Sequence, residues 1–375
     1  MGVLIAGAGI GGLTAALTLH AKGIESTVIE KVRDPKPLGV GINVLPHAVR
    51  ELEELGLGDR LPEIGVATAE HVYVDERGER LFVEPRGLAG GYDSPQYSVH
   101  RGKLQMLLLD VVRERLGRDA VRTGSGLLGF EQDAGEVRVR VPDGTLTADV
   151  LIAADGVHST VRAALHPGEG PLQWSGTRMW RGVTEGDSFF GGRSAVLVRG
   201  LKAEMIIYPI GPNSINWVVL AREAGPGPLP GDAGWNTPGD VTDVLAHVGD
   251  WDFDWLDVPW LVSNSEGLLE YPMVDRDPLP HWGTGRVTLL GDAAHPMYPV
   301  GANGASQSIV DARVLADELA RDFPGGLAAY EKIRREDTAS VVAANREMHA
   351  ALDARSAADL AATTAAYRQQ TAADR

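Results

Sequence analysis

The run Val3-Leu4-Ile5-Ala6, followed at once by Gly7-Ala8-Gly9-Ile10-Gly11-Gly12, leaves this chain few folding options. Four such apolar residues read as a buried strand and Leu13 to Leu19 as a helix, so the glycines occupy a strand-to-helix turn. In that turn Gly7 permits the tight reversal and Gly9 lets an anion approach the backbone. Gly12 lets the helix pack closely on the strand, with its free N–H groups aimed at the anion. The next strand, Ser26-Thr27-Val28-Ile29, closes on Glu30, 18 residues after Gly12. A carboxylate there accepts from an adenosine ribose hydroxyl, and Lys31 beside it is grouped with the same site. A GxGxxG alone is only a glycine-rich turn. Flanked by a strand, a helix and an acid, it points to a βαβ unit that binds FAD or NAD.

Two more stretches put glycine or aspartate at the end of an apolar strand. Asp149 to Ala154 is broken by Asp155-Gly156-Val157-His158-Ser159 before a short helix carrying Arg162, which read alone is a turn with a capping residue. Arg286 to Leu290 ends in Gly291-Asp292-Ala293-Ala294-His295-Pro296, and the loop Pro299-Val300-Gly301-Ala302-Asn303-Gly304 then opens another helix. Gly301 and Gly304 permit backbone N–H groups to face an anionic ring edge, and Asp292 is placed to accept from sugar-chain hydroxyls. Three such sites imply one long phosphate-bearing cofactor held along its length.

The composition narrows the chemistry. There is no cysteine, which excludes disulfides, thiolate nucleophiles, iron–sulfur clusters and Cys-based zinc sites, so redox work belongs to a cofactor. No histidine pair has metal-ligand spacing, and no metal is expected. A net charge of −16 with scattered Arg and Lys argues against nucleic acid as a partner. Met1 to Leu19 lacks a basic n-region and is interrupted by five glycines, so it reads as strand and helix rather than signal peptide. No other run approaches the ~18 apolar residues of a membrane span, and the expected location is cytoplasmic.

Between the motifs the texture changes. A helix runs from Pro46 through Leu55, whereas His71 to Val74 and Arg80 to Val83 alternate like half-buried strands of another sheet. Tyr97 to Arg101 leads back to a helix, Gly102 to Leu116, and then to a β-meander that includes Val137 to Val141 and a Pro142-Asp143-Gly144 turn. From Gln173 to Glu270 strands dominate, among them Ala203 to Ile210 and Ile215 to Leu220, with a Gly/Pro-rich loop from Gly225 to Gly231. Every tryptophan lies at or beyond Trp174, and Trp251, Trp255 and Trp260 read as core and surface-loop aromatics rather than a pocket wall. The last 40 residues are alanine-rich and read as one or two helices packed on the cofactor domain. No second GxGxxG is present, so a separate nicotinamide-binding Rossmann domain is not expected.

The three motifs, in this order, resemble those of the class A FAD-dependent aromatic hydroxylases, the group of p-hydroxybenzoate and salicylate hydroxylases, over nearly the whole chain. Within that group Met297 to Gln307 and Trp180-Arg181-Gly182-Val183 look most like the phenazine-carboxylate hydroxylases of pyocyanin formation. The resemblance implies an α/β fold, with a discontinuous Rossmann-type FAD-binding domain over 1–70, 98–172 and 281–375 that ends in C-terminal helices. A mixed β-sheet substrate domain is inserted as 71–97 and 173–280, with the active site where the two meet. It implies that Gly7, Gly9 and Gly12 hold the pyrophosphate, Glu30 the ribose, Arg101 the FAD from a helix start, and Asp292 the ribityl-pyrophosphate portion. Asp155 and Gly156 would serve FAD and transient NADH or NADPH, and the backbone of Gly301, Asn303 and Gly304 would lie beside the isoalloxazine. Ala302 and Ser306 depart from the glycine and asparagine of the commonest form of that last motif.

By the same resemblance NAD(P)H reduces FAD, O2 forms a flavin C4a-hydroperoxide, and a small aromatic or N-heteroaromatic acid takes an oxygen atom, with or without loss of CO2. Substrate candidates are Arg181, Tyr208, His295 and Pro299, with His295 also a candidate acid/base. Against these stand plainer roles: loop shaping for His295, a structural ion partner for Arg181, core packing for Tyr208. Two rival functions remain open, an FAD protein of another class such as a reductase, and a non-catalytic binder of a reactive aromatic intermediate. A halogenase is disfavoured by the absence of Trp-x-Trp-x-Ile-Pro. Monomer and homodimer are equally compatible with the sequence.

Overall fold

Four apolar strands set side by side explain why the glycine motifs meet. In the computed structural model, which describes residues 2–231, 237–351 and 357–371, a five-stranded parallel sheet has the order Val287–Leu289, Val150–Ala153, Gly2–Ala6, Glu25–Glu30, Val121–Thr123. Its registers pair Leu289 with Ala153, Ala153 with Ala6, and Ala6 with Ile29, so the three motifs and Glu30 leave the sheet from one row of C-terminal ends. That row spans three strand spacings, roughly 14 Å. Strands such as Val3-Leu4-Ile5-Ala6 and Val150-Leu151-Ile152-Ala153 are continuously apolar because both faces of a parallel sheet are covered. The helices Ile10–Ala21, Arg101–Leu116 and Asn303–Arg321 do that covering, and Gly129–Gln132, Val137–Val141 and Gly144–Ala148 form the antiparallel meander expected before the second motif.

The second sheet is mixed. Its main path runs Thr237–Pro238, Ser265–Asp275, Gln173–Glu185, Ser214–Arg222, Ala203–Gly211, Ser194–Arg199, Glu70–Asp75, Arg80–Pro85, with Gly227–Pro228 paired to the long strand Gln173–Glu185. Ser194–Arg199 and Glu70–Asp75 pair in parallel, and that contact brings the early hairpin into a sheet built mostly from much later sequence.

Alternation gives this sheet two unlike faces. Trp180, Trp217, Val219, Met205 and Ile207 point to one side, where the helices Val241–Val248 and Val258–Ser263 cover them. Trp251 is buried there, Trp255 packs against that core, and Trp260 is 43 % exposed, so these three are core and surface aromatics as read. Met179, Arg181, Tyr208, Asn216, Leu220 and Tyr271 belong to the other side, which meets the parallel-sheet half. A small antiparallel sheet, Gly41–Val44, Gln96–His100 and Gly65–Thr68, sits between the halves. It is tied to the large one where the Gly41 N–H donates to Asn216 Oδ1 at 2.6 Å. Among the described residues no helix is long and apolar enough to cross a membrane.

Candidate functional site

Gly7 has φ +108°, a conformation open to glycine, and a side chain there would overlap the Ala154 carbonyl at the second motif. A Cβ at Gly12 would overlap the Gly7 carbonyl, and one at Gly11 would press on Leu290 and Ser308 of the third. The first motif is thus a packing hub for the other two. Gly9 differs: a Cβ there meets nothing within 4 Å, leaving an open cradle at the start of the helix Ile10–Ala21. Glu30 Oε2 accepts from the Ala8 N–H at 2.8 Å and Oε1 from Val32 N–H at 2.7 Å, which fixes the carboxylate beside the turn. A carboxylate has about four lone-pair sites, so capacity for a ribose hydroxyl remains. Lys31 is exposed on the chain leaving this strand.

Asp155 Oδ2 accepts from Thr160 N–H at 2.8 Å at the start of the short helix Thr160–Leu165, which Ser159 caps. Among the described residues the buried Asp155 Oδ1 finds no hydrogen bond, and burial raises the carboxyl's pKa against the opposing hydrogen bonds. Gly156 follows at φ +82° in open space. Arg162, 2 % exposed, donates to the carbonyls of Ala293 and Ala294 at 2.9 and 2.8 Å while a fork of its nitrogens holds Glu169, thereby binding the second motif to the third. Asp292 is exposed, and a Cβ on Gly304 would stand 3.9 Å from its Oδ1. On the far side of the first turn, Arg101 is exposed at the start of its helix beside Gly39, and Gln105 of that helix donates to the Ala8 carbonyl at 2.8 Å.

The loop after Pro299 carries two successive left-handed residues, Gly301 at φ +67° and Ala302 at φ +62°. The second costs a non-glycine residue roughly 1–2 kcal/mol, so the departure at Ala302 keeps the backbone path that a glycine would take, under strain. Ser306, the other departure, is buried and accepts from the Leu45 N–H at 3.1 Å, joining this helix to the small sheet. Asn303 is buried, Gly304 is half-buried, and Pro299 is exposed where the loop begins.

His295 is drawn inward. Its Nε2 lies 2.6 Å from Asp311 Oδ2, which also accepts from Gly291 N–H at 3.0 Å, while Asp311 Oδ1 accepts from Arg334 Nε at 2.8 Å. Burial alone would raise the Asp311 carboxyl, but His295 and Arg334 overcome it and hold the pKa at about 2. The imidazole packs against Trp282, which fits the loop-shaping role.

Across from the loop, Arg181 donates to the Gly41 carbonyl at 2.7 Å and has a buried Nε without a partner among the described residues. Tyr208 and Tyr271 face it, and burial raises both phenol pKa values while Arg181 opposes, so each hydroxyl stays protonated at neutral pH. Tyr271 packs with Met179, Met273, Leu220 and Leu269 in an apolar patch that also takes in Tyr298 and Val300 from the third motif, while Tyr208 packs with Ala195 and Ile210. Arg181 and Tyr208 are therefore together, opposite the Pro299 loop, while His295 lies in a separate buried cluster. Sequence reading missed Gln105, Tyr271, Asp311 and Arg334. For Asp311 a signal existed, because it interrupts the apolar run Ile309-Val310-Ala312 on a helix whose face must be buried.

The open cradle at Gly9, the spare capacity of Glu30, the unpartnered Asp155 oxygen and exposed Asp292 line up with the row of strand ends, and they fit a long dinucleotide such as FAD. Fold and site thus define a flavin-binding α/β protein. The chain belongs to the FAD-binding domain family, whose model matches residues 1–180 and 274–345, and it is an FAD-dependent aromatic monooxygenase. It is 49% identical to the phenazine 1,6-dicarboxylic acid hydroxylase PhzS of Lysobacter antibioticus, over 98% of this chain and 96% of the relative. It is 31% identical to 3-hydroxybenzoate 6-hydroxylase 1 of Aquipseudomonas alcaligenes, over 90% of this chain and 86% of the relative. Among solved structures it resembles Klebsiella pneumoniae HpxO complexed with FAD and uric acid, with a TM-score of 0.82 and 28% identity over 99% of this chain and 92% of the other.

Proposed function

We propose that this protein hydroxylates a fused N-heteroaromatic carboxylic acid, using NADH or NADPH and O2, at the carbon that bears the carboxylate and with loss of CO2. One oxygen atom of O2 enters the ring and the other leaves as water, the nicotinamide supplying the two electrons, and the ring regains aromaticity by expelling CO2. The observation that carries the reading is the wall opposite the flavin loop. It sets an apolar patch of Met179, Leu220 and Leu269 on the face that carries Arg181, whose buried Nε has no partner among the described residues. A flat aromatic acid matches that wall, with its ring on the apolar side chains and its carboxylate on Arg181, a charge-assisted contact. The relative named for a phenazine dicarboxylic acid supports the fused-ring class.

FAD bound along the strand ends supplies the redox and oxygen chemistry. The chain's own residues bind, orient and keep the site dry. Gly7, Gly9 and Gly12 receive the pyrophosphate, with Glu30 and Lys31 at the ribose, Arg101 at the helix start, and Asp292 at the sugar chain. Asp155 and Gly156 stand where the cofactor and the nicotinamide donor would both pass. Gly301, Asn303 and Gly304 present backbone to the ring, and Pro299 begins the loop at the substrate edge. Tyr208, neutral through burial, donates a hydrogen bond that orients the ring or its carboxylate. The apolar wall excludes the water that would divert activated oxygen to peroxide.

Substrate labelled at the carboxyl carbon should release label in step with NAD(P)H consumption when coupling is tight. A product that gains one oxygen and keeps its labelled carboxylate would leave ring hydroxylation standing and remove the decarboxylative branch. Arg181→Met should raise KM for aromatic acids tenfold or more without loss of FAD, and an unchanged KM would take Arg181 out of the site.

A further inference from the structure

The loop Pro299 to Gly304 does not hold its own shape. Gly301 and Ala302 are both left-handed, and side chains of two later helices, Gly326–Ala351 and Ala357–Thr371, hydrogen-bond to the loop around them. Tyr367 of the last helix is buried with its hydroxyl against the loop. That hydroxyl accepts from Asn303 Nδ2 at 2.6 Å and lies 2.6 Å from Asn345 Oδ1 and 3.1 Å from the Val300 carbonyl, either of which can take its one proton. Asn345 Nδ2 in turn donates to the Tyr298 carbonyl at 3.1 Å. A Cβ on Gly301 would overlap the Tyr367 hydroxyl, so the ring occupies the space that makes glycine obligatory there. The next residue, Arg368, pairs with Glu84, a buried carboxylate on the edge strand Arg80–Pro85 of the large sheet that also meets Arg86 and the Tyr73 hydroxyl at 3.2 Å each. Consecutive side chains of one helix therefore grip the flavin loop and the substrate sheet.

We infer that Tyr367 is a positioning residue for the flavin, holding the Val300–Asn303 backbone in the geometry that receives the isoalloxazine, with Arg368 anchoring its helix to the substrate sheet. The inference rests on the assignment of this loop to the flavin ring. Tyr367 touches neither cofactor nor substrate in this scheme. It acts through Asn303 and the Val300 carbonyl, and the strained Ala302 relaxes when that hold is lost.

The test is titration of the apoprotein with FAD, read by flavin absorbance and fluorescence, for the parent, Tyr367→Phe, Asn303→Ala and the double variant. Loss of the hydroxyl should raise the FAD Kd about fivefold to tenfold and alter the bound-flavin spectrum, while the melting midpoint of the apoprotein stays within about 3 °C. The double variant should lose much less than the product of the two single losses, because both substitutions break one network. In turnover, Tyr367→Phe should at least double the share of NAD(P)H electrons that end as hydrogen peroxide. A parent-like Kd and spectrum in Tyr367→Phe would overturn the proposal, as would affinity lost only in proportion to a collapse of the apoprotein melt. Retention of FAD affinity by Gly304→Val would instead defeat the assignment of the loop, and the positioning role with it.

Discussion

Replacing Asp311 by asparagine should be among the most damaging single-atom changes available to this chain. The carboxylate is fully buried between His295 and Arg334, and Arg334, 1 % exposed, has as further acceptors among the described residues only Gln307 and the half-exposed Asp337. Removing the buried partner leaves the Arg334 cation with only the half-exposed Asp337 as a counter-charge among the described residues, a cost that approaches the about 3–5 kcal/mol of breaking a buried pair. At about 2.1 cal/mol/K per residue, a chain of 375 residues unfolds with an entropy near 0.8 kcal/mol/K, so the midpoint should fall by roughly 4–6 °C. Because Asp311 Oδ2 also holds the Gly291 N–H, the residue before Asp292, FAD affinity should fall as well. The assay is thermal and urea unfolding of the apoprotein, with FAD titration alongside. Asp311→Leu combined with Arg334→Met removes both charges and should recover more than half of the lost stability. A loss below about 1 kcal/mol in Asp311→Asn, or a double variant no better than the single one, would refute the buried-charge argument.

Gly9→Leu should leave the apoprotein melt nearly unchanged, since a Cβ there meets nothing, yet abolish flavin binding; a yellow Gly9→Leu protein would overturn the Rossmann assignment. Asp292→Ala should raise the FAD Kd roughly tenfold or more through loss of a charge-assisted bond without changing the apoprotein melt, and parent-like affinity would make Asp292 a turn residue only. The Asp311 carboxyl is lowered in the folded state from 3.8 to about 2, so its contribution of about 2 kcal/mol is present above pH 4 and lost as pH falls through 2. Urea midpoints measured from pH 5 to pH 2 should show the decline in the parent and lack that component in Asp311→Asn.

Much of the cofactor side was legible because its signals are local. The glycine spacing from Gly7 to Gly12, the apolar run before it and Glu30 at the end of the next strand all lie within 30 residues, and each appears where its local chemistry requires. The large sheet was legible as strands but not as a surface. Alternation in Gln173–Glu185 announces two faces, yet only the packed helices decide that Trp180 turns away and Arg181 turns toward the strand Gly41–Val44. His295 drew attention as a histidine beside a motif. Its partner Asp311 sits 16 residues on and Arg334 a further 23, and no local pattern joins the three.

By itself the amino-acid order determined that strand-to-helix turns recur three times, that a dinucleotide is bound, and that redox chemistry must be carried by a cofactor in a chain without cysteine. These follow from backbone freedom, apolar periodicity and side-chain inventory, which are properties of short segments. The tertiary structure decided that strands 287–289, 150–153, 2–6 and 25–30 lie side by side, which face of the second sheet meets the loop, and that Tyr367 reaches Gly301 from 66 residues away. Strand order, register and the pairing of buried polar groups are set by what must be covered and what must be hydrogen-bonded across the whole molecule, and short segments do not carry that information.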